Sequence, residues 1–267
     1  MPAYLDTIIA AHRAAAADDR RDPERALEEA LEVGQRAGPI RPFAEAVVGA
    51  AALRGMAVIS EIKRRSPSKG DLDPTLDPAG VATDYEVGGA TCLSVLTDQE
   101  FFGGSTEDLQ RARAACSLPV LRKDFTVGPL DVCDARTMGA DAVLLIVAAL
   151  SDDELDSLLR TAGRLSLTAV VEVHDEVELK RALDAGAEVI GVNQRDLRTF
   201  EVDHQRAMRL GGLIPSAVVA VAESGIRGGD DVARLADSGY RAVLVGETLV
   251  RAGDRRAAVA ALLGAER

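Results

Sequence analysis

Short apolar runs rich in β-branched residues recur along the chain, and amphipathic stretches of helical type separate them. The runs lack the alternating polar positions of a strand with one solvent face, so they are typical of parallel strands covered on both sides. Their alternation with helices predicts βα units. The eight candidate strands are Ala57–Ile62, Cys92–Leu96, Pro119–Leu121, Ala142–Val147, Ala169–Val173, Val189–Val192, Val218–Val221 and Ala242–Val245.

A glycine recurs just before every second candidate strand. Gly89, Gly139, Gly186 and Gly239 are separated by 50, 47 and 53 residues, and each suits the left-handed position that ends a helix. An open doubly wound sheet is compatible with this repeat. Eight units in about 210 residues, with no segment left for a second domain, instead favour an α/β fold of the (β/α)8 TIM-barrel class.

The segment before the first strand is predicted to be helical. Prolines at positions 39 and 42 interrupt it, because proline breaks a helix interior. We expect residues 1–55 to form an N-terminal helical extension packed on a barrel of residues 56–267, within a single domain covering 1–267. The expected terminal helices are Pro2–Asp19, Asp22–Val33, Pro42–Ala52 and, at the end of the chain, Asp254–Leu263.

Composition and charge exclude several classes of protein. Hydrophobic residues make up 47% and charged residues 28% of the 267 positions, which argues against disorder. The net charge of −12 disfavours a nucleic-acid binder. The longest apolar run, Ala142–Leu150, is far shorter than the ~20 residues of a membrane span, and the acidic N-terminus is unlike a signal peptide.

Cysteine and histidine show no metal-binding pattern. Cys92, Cys116 and Cys133 are odd in number and lack C-x-x-C spacing, which predicts reduced thiols and a cytoplasmic location. The three histidines share no H-x-x-x-H spacing, so we expect no metal site.

Lysine is rare and suggestively placed. Only four of the 31 basic residues are lysines, and three of them, Lys63, Lys69 and Lys123, follow apolar runs, whereas Lys180 lies in a charged segment. Drift toward arginine codons explains the rarity. Lysine is nevertheless the basic side chain that readily loses a proton, so these three are candidate functional groups.

Polar residues gather where the predicted strands end, which is where barrel active sites lie. Glu172 stands between two valines, a costly position for an unpaired carboxylate. One interpretation is a buried ion pair that only stabilises the barrel. Convergence of several such groups on one rim favours acid–base chemistry instead. The candidates are Glu61, Lys63, Lys123, Glu172, Asn193 and Glu223.

The ends of the last two strands suggest an anion site. Ser224-Gly225 and Gly246-Glu247 place small residues where barrels commonly bind phosphate. Because the net charge would repel a phosphorylated substrate, local cations must counter it, and Lys63, Lys69, Arg64 and Arg65 are available.

Two further features have plainer interpretations. The Phe101–Ser105 segment, FFGGS, suggests a loop beside the pocket or a separate hydrophobic cluster, and the sequence does not separate these. We interpret His174 as a hydrogen-bonded residue at a strand end rather than a catalyst.

Six ordered segments resemble indole-3-glycerol phosphate synthase. The match covers about residues 56–250, with a looser match in the N-terminal helices, and six ordered motifs make coincidence very improbable. The segments are Ser60–Gly70 (SEIKRRSPSKG), Leu93–Thr97 (LSVLT) with Phe101–Ser105, Leu121–Phe125 (LRKDF), Val171–His174 (VEVH), Asn193–Leu197 (NQRDL) and Glu223–Ile226 (ESGI).

The resemblance implies a carboxy-lyase of tryptophan biosynthesis. It closes a ring on 1-(2-carboxyphenylamino)-1-deoxyribulose 5-phosphate with loss of CO2 and water. No metal or organic cofactor is implied, and the only expected partner is the small phosphorylated substrate. We expect no binding of nucleic acid or membrane, and a monomer or weak homo-oligomer.

The resemblance also implies roles for individual residues. Lys123 is the expected general acid at the ribulose carbonyl, and Glu172 is its expected acid–base partner. Lys63 is expected to bind the substrate and to act as acid in the dehydration. Which lysine donates a proton in which step stays open. Gln194 replaces the second Asn of the common Asn-Asn-Arg-Asp string, and we expect it to be peripheral. Glu61, Asn193, Arg195 and Glu223 are expected to orient the substrate; Ser66, Ser224, Gly225, Gly246 and Glu247 to form the phosphate end; and Phe125, with Leu145 or Ile146, to contact the aromatic ring.

Three alternatives remain at this point. A Schiff-base aldolase would use Lys123 as nucleophile. A phosphoribosyl isomerase would rely on an Asp or Cys pair at strand ends, which the sequence does not show. A non-catalytic barrel would bind a phosphorylated ligand, but every expected acid–base position is present.

Overall fold

Eight parallel strands close into a barrel, which confirms the predicted (β/α)8 TIM-barrel class. The computed structural model describes residues 4–264 apart from residues 37, 68, 197 and 198. The start of the first predicted helix at Pro2 and the motif residues Ser68 and Leu197 therefore lie outside the described residues. The strands are β1 (Ala57–Ile62), β2 (Cys92–Leu96), β3 (Val120–Lys123), β4 (Ala142–Ile146), β5 (Thr168–Val173), β6 (Val189–Asn193), β7 (Val219–Glu223) and β8 (Ala242–Val245).

Each strand pairs with its neighbours in chain order, and β1 closes the barrel by pairing with both β2 and β8. Three strands extend further than the apolar pattern predicts, to Lys123, Asn193 and Glu223. These residues stay in the ladder, because Lys123 is in register with Leu96 and Asn193 with Glu223. The polar groups therefore stand on strands and not on loops, which holds them rigidly.

Helices surround the barrel. A short β-hairpin follows β1, in which the two-residue strands Arg65–Ser66 and Gly70–Asp71 pair antiparallel. The four glycines of the repeat have φ between 81° and 97°. This is the left-handed backbone conformation expected of the residue that ends an α-helix. No helix among the described residues is both long and apolar enough to cross a bilayer. The helices are α1 (Tyr4–Asp18), α2 (Pro23–Arg36), α3 (Phe43–Arg54), α4 (Pro78–Val87), α5 (Thr106–Ala115), α6 (Pro129–Met138), α7 (Asp152–Arg164), α8 (Glu176–Asp184), α9 (His204–Gly211), α10 (Gly229–Asp237), α11 (Glu247–Val250) and α12 (Arg255–Leu262).

Strand side chains alternate between the barrel interior and the helices. In β4, Leu144 and Ile146 belong to the interior cluster, whereas Leu145 packs in the layer between barrel and helices. Because successive strand residues point to opposite faces, only one of Leu145 and Ile146 can face the interior. Of the two alternatives offered for the ring contact, Ile146 has the required orientation and lines the cavity, whereas Leu145 faces the helices.

The N-terminal helices contact both ends of the barrel interior. Phe43 and Val47 of α3 pack against residues that begin the strands, such as Ala57 and Ala242, and so close the N-terminal end of the barrel. Helix α1 reaches the opposite end, where Tyr4 meets the ring of Phe101 edge-on with centroids 6.0 Å apart. This arrangement places the extension beside the mouth where functional groups are expected.

Candidate active site

A cavity of about 830 Å³ opens at the C-terminal ends of the strands. Its walls include all thirteen residues that were expected to carry catalysis or to bind the substrate through charged, polar, glycine or phenylalanine positions. Those residues are Glu61, Lys63, Ser66, Lys123, Phe125, Glu172, Asn193, Arg195, Glu223, Ser224, Gly225, Gly246 and Glu247.

Lys123 lies between two carboxylates at the end of β3. Its Nζ is 2.9 Å from Oε2 of Glu172 and 2.5 Å from Oε2 of Glu223. Burial opposes the charge of the lysine, but the carboxylates of Glu172, Glu223 and Glu61 outweigh it and raise the pKa of Lys123 above its ordinary value. The side chain is therefore an ammonium at neutral pH and can donate a proton.

The two carboxylates differ in proton affinity. Burial alone would raise the pKa of Glu172, but Lys123 and His174 outweigh it and lower that pKa to about 2. Burial and the charge of Glu172 raise the pKa of Glu223 to about 7 in spite of Lys123. One ionised carboxylate and one carboxyl that titrates near neutrality thus flank the same ammonium, a division suited to separate base and acid roles.

A second pair lies at the end of β1, with Glu61 on the strand and Lys63 just after it. Nζ of Lys63 lies 2.5 Å from Oε1 of Glu61. The hydroxyl of Ser94 lies 3.5 Å from the other oxygen of Glu61. The cavity therefore contains a second ammonium, held toward the substrate space by its own carboxylate.

Asn193 orients Glu172. Its amide nitrogen donates to Oε1 of Glu172 at 3.1 Å, and its carbonyl oxygen accepts the backbone N–H of Arg195 at 3.0 Å. The guanidinium of Arg195 donates to the carbonyl oxygen of Phe200, also at 3.0 Å. Asn193 thus connects the carboxylate of Glu172 to the segment that carries Arg195 and Phe200.

The turn after β7 has the geometry of an anion site. Ser224 and Gly225 have φ of 67° and 73°, and turns of this kind can point successive backbone N–H groups at an anion. A serine in the left-handed region costs about 1–2 kcal/mol, which is typical of functional turns. Gln194 stays outside the cavity lining and donates to the carbonyl oxygen of Ser224 at 2.7 Å, so it anchors this turn.

The cations beside this turn differ in part from those expected. Lys69 lines the cavity, together with Arg227 and Arg251, which the sequence did not mark. Arg64 instead forms an ion pair with Asp108, and Arg65 forms one with the exposed Asp71. Of the four cations that the sequence offered near this rim, Lys63 and Lys69 line the cavity, whereas carboxylates outside it hold the guanidinium groups of Arg64 and Arg65.

Two glycines, one directly after β8 and one inside β6, provide the space that the charged groups occupy. A Cβ at Gly246 would overlap Oε1 of Glu61 and lie 3.2 Å from Nζ of Lys63. A Cβ at Gly191, in the middle of β6, would overlap Oε1 of Glu223. Gly191 was missed, although a glycine inside a β-branched strand signals close approach of another group.

Aromatic rings form the other side of the cavity. The rings of Phe102 and Phe125 lie 6.0 Å apart, and Phe200 joins them in the lining. Helix α1 supports this wall, since Tyr4 contacts Phe200 and His12 lies 5.4 Å from the ring of Phe125. The sequence suggested the Phe101–Ser105 loop, but it did not predict the contribution of α1.

One group of side chains has the composition of a cation site. His12, Asp98 and Asp124 bring ligand-type atoms within 4.8 Å of one another. These atoms already have partners: His12 Nε2 lies 3.0 Å from Asp98, and the guanidinium of Arg122 lies 3.0 Å from Asp124. Because an arginine already compensates Asp124, the group fits a hydrogen-bonded clamp between α1 and the strand-end loops better than a metal site.

Comparison with known proteins identifies the family. The sequence model of the indole-3-glycerol phosphate synthase family matches residues 5–262. Indole-3-glycerol phosphate synthase 1 of Streptomyces coelicolor is 51% identical over 98% of this chain and 95% of its own length. The synthase of Kineococcus radiotolerans is 56% identical over 79% of this chain and 77% of its own length.

The fold has a more distant structural relative. Thiamine phosphate pyrophosphorylase from Pyrococcus furiosus superimposes with a TM-score of 0.60 at 18% identity, over 78% of this chain and 94% of its own. At that identity the likeness concerns the barrel alone. The family match and the two sequence relatives are the stronger findings, and the chain belongs to the indole-3-glycerol phosphate synthase family.

Proposed function

We propose that the chain is an indole-3-glycerol phosphate synthase that converts 1-(2-carboxyphenylamino)-1-deoxyribulose 5-phosphate to indole-3-glycerol phosphate, CO2 and water. The observation that carries the proposal is the ammonium of Lys123 between Glu172 and Glu223, at the mouth of the barrel. Family membership supports the substrate and the reaction.

Ring closure needs an acid at the carbonyl oxygen. When the ring carbon that bears the carboxylate attacks the ribulose carbonyl, the oxygen becomes an alkoxide and takes a proton from Lys123. The new tetrahedral ring carbon then loses CO2, because loss of CO2 restores aromaticity. Glu172 and Glu223 hold the ammonium in place with contacts of 2.9 and 2.5 Å, and positioning of this kind lowers the barrier further.

Dehydration needs a second donor and a base. The hydroxyl formed in the first step leaves as water after it takes a proton, and Lys63, 2.5 Å from Glu61, is the second ammonium in the cavity. Glu172 is ionised and removes the proton whose loss completes the indole double bond. The turn at Ser224 and Gly225, with Arg227 beside it, binds the phosphate, and Phe102 and Phe125 flank the aromatic ring.

The charge state of Lys123 argues against the aldolase alternative. A Schiff base requires a neutral amine, whereas three carboxylates raise the pKa of Lys123. Borohydride added with substrate should therefore leave Lys123 unmodified. Irreversible labelling of Lys123 would favour the aldolase.

The test of the proposed reaction is the appearance of indole fluorescence when the purified protein meets the carboxyphenylamino substrate. Lys123→Ala should lower kcat by about 10²–10⁴-fold, the usual contribution of a general acid. Lys180→Ala is the matched control, since Lys180 is exposed and pairs with Asp184, and its rate should be unchanged. Near-normal turnover by Lys123→Ala would contradict the assignment.

We also propose that the chain is a single domain and that it acts in the cytoplasm. Support for the location comes from Cys92, Cys116 and Cys133, all free thiols. The expected monomeric or weakly oligomeric state stays a prediction, which sedimentation analysis would test.

A further inference from the structure

His174 lies behind Glu172, outside the lining of the cavity. His174 directly follows Val173, the last residue of β5, and stands two positions after Glu172. Nε2 of His174 is 3.5 Å from Oε1 of Glu172, and only 12% of the imidazole side chain is exposed. The histidine therefore contacts the proposed base without reaching the substrate space.

Glu178, in the first turn of α8, fixes the imidazole. One of its carboxylate oxygens lies 3.0 Å from Nδ1 of His174 and accepts the backbone N–H of the same residue at 2.8 Å. Asp175 caps this helix by accepting the N–H of Glu178 at 2.8 Å. Because Nδ1 is bound to Glu178, the other nitrogen is directed at Glu172.

Nε2 of His174 is buried and has no hydrogen-bond partner among the described residues. Oε1 of Glu172 lies 3.5 Å away, slightly beyond good hydrogen-bond distance. A buried donor in this position is explained most simply by an electrostatic contact with that carboxylate.

Three charged groups face the imidazole. Burial lowers the pKa of His174, and Arg206 of α9 acts in the same direction. The hydrogen bond to Glu178 and the charge of Glu172 outweigh both, so the pKa of His174 is raised. Carboxylates on opposite sides of the ring therefore favour imidazolium over neutral imidazole.

We propose that His174 is a positioning residue that, held by Glu178, keeps Glu172 ionised and oriented while Lys123 gives up its proton. The inference rests on the proposed role of Glu172. Once Lys123 is neutral, the ammonium 2.9 Å away no longer stabilises the buried carboxylate. His174 is then the remaining cation in contact with Glu172, while Asn193 supplies only a neutral hydrogen bond.

Titration of the histidines tests the contact without relying on activity. The chain has only three histidines, so the imidazole Cε1–H signals resolve by NMR, and the signal lost in His174→Gln identifies His174. We expect Glu172→Gln and Glu178→Gln each to lower the pKa of His174 by about one pH unit or more, the usual effect of a nearby opposite charge. Glu176→Gln, an exposed residue of the same helical turn, is the control and should leave that pKa unchanged.

Kinetics test the positioning role. His174→Gln should lower kcat about tenfold below the pKa of His174, with KM within about twofold, because a charge that stabilises the reacting state affects kcat. The ratio of wild-type to variant kcat should fall toward one as the pH rises through that pKa. A structural role alone would give a ratio that does not vary with pH.

Two outcomes separate failure of the inference from failure of the proposed function. If Glu172→Gln abolishes turnover but leaves the titration of His174 unchanged, the inference is wrong and the proposed function stands. If Glu172→Gln retains near-normal turnover, the role of Glu172 is wrong, and the inference fails with it.

Discussion

Replacement of Lys123 by Met removes the ammonium between Glu172 and Glu223 and keeps a side chain of similar length. Both carboxylates are almost fully buried, with 2% exposure each. In the wild-type protein Lys123 lowers the pKa of Glu172. Without the ammonium, burial penalises the charge of both carboxylates, and Glu172 gains affinity for a proton. The stability of the variant should therefore fall more steeply with rising pH than that of the wild-type protein, in which Glu223 has a raised pKa but Glu172 does not.

The size of the effect follows from Glu223. Its pKa of about 7, against an ordinary value of 4.5, is the combined result of burial and the charge of Glu172, which raise it, and of Lys123, which lowers it, and it sets the scale for a raised carboxyl in this cavity. At about 1.36 kcal/mol per pH unit, a shift of Glu172 to a similar value costs about 3 kcal/mol at pH 7. In Lys123→Met the pKa of Glu172 is therefore higher in the folded than in the unfolded state. The stability of the variant is fully present below pH 4.5 and is lost as the pH rises toward 7.

Urea unfolding followed by far-UV circular dichroism at several pH values between about 5 and 8 measures this difference. The deficit of Lys123→Met relative to wild type should grow by about 3 kcal/mol across the window from 4.5 to 7. Lys180→Met, which removes an exposed ammonium, should stay within about 0.5 kcal/mol of wild type at every pH. A deficit of constant size across the window would refute the reasoning that the ammonium compensates buried carboxylates.

Three further predictions concern other parts of the site. Gly191→Ala should lower kcat and destabilise the fold by about 1–3 kcal/mol, because the methyl group displaces Glu223. Gly163→Ala, at an uncrowded position inside α7, should retain wild-type kcat and gain up to about 1 kcal/mol of stability, because alanine favours a helix more than glycine does. Burial lowers the pKa of His12, but the hydrogen bond to Asp98 outweighs burial and the pKa is raised. The contribution of His12 to the free energy of unfolding is therefore fully present below pH 6.5 and is lost as the pH rises through the raised pKa. His12→Asn should therefore lower Tm by about 2–4 °C at acidic pH, for a loss of about 1 kcal/mol, and by less above pH 8; equal losses at both pH values would contradict this. Arg227→Ala should raise KM about tenfold with kcat within twofold, as expected when one charged contact to phosphate is lost, and a fall in kcat instead would place Arg227 in the chemistry.

The barrel was predictable because its determinants are local. Apolar runs between amphipathic segments reflect strands buried on both sides, and glycine marks helix ends at regular intervals. The ends of β3, β6 and β7 were set too early, because polar residues such as Lys123 were assigned to loops. Their pairing partners keep them in the ladder, and pairing is a non-local property.

The candidate residues of the site were also visible in the chain, since charged groups at the ends of apolar strands are costly unless they are paired or functional. Their partners were not visible. Arg64 follows β1 closely enough to be an available cation near the rim, yet its guanidinium binds Asp108. A long side chain has several rotamers, and the folded surroundings select among them.

The sequence by itself therefore determined the fold class, the family resemblance and the set of acidic, basic and glycine residues from which the site is built. The tertiary structure decided which of these groups touch. Lys123 and Glu223 are 100 positions apart, and only closure of the barrel brings their side chains together. The clamp of His12 and the space left by Gly191 likewise depend on distances between separate elements, and such distances are fixed by packing, which periodicity and composition do not encode.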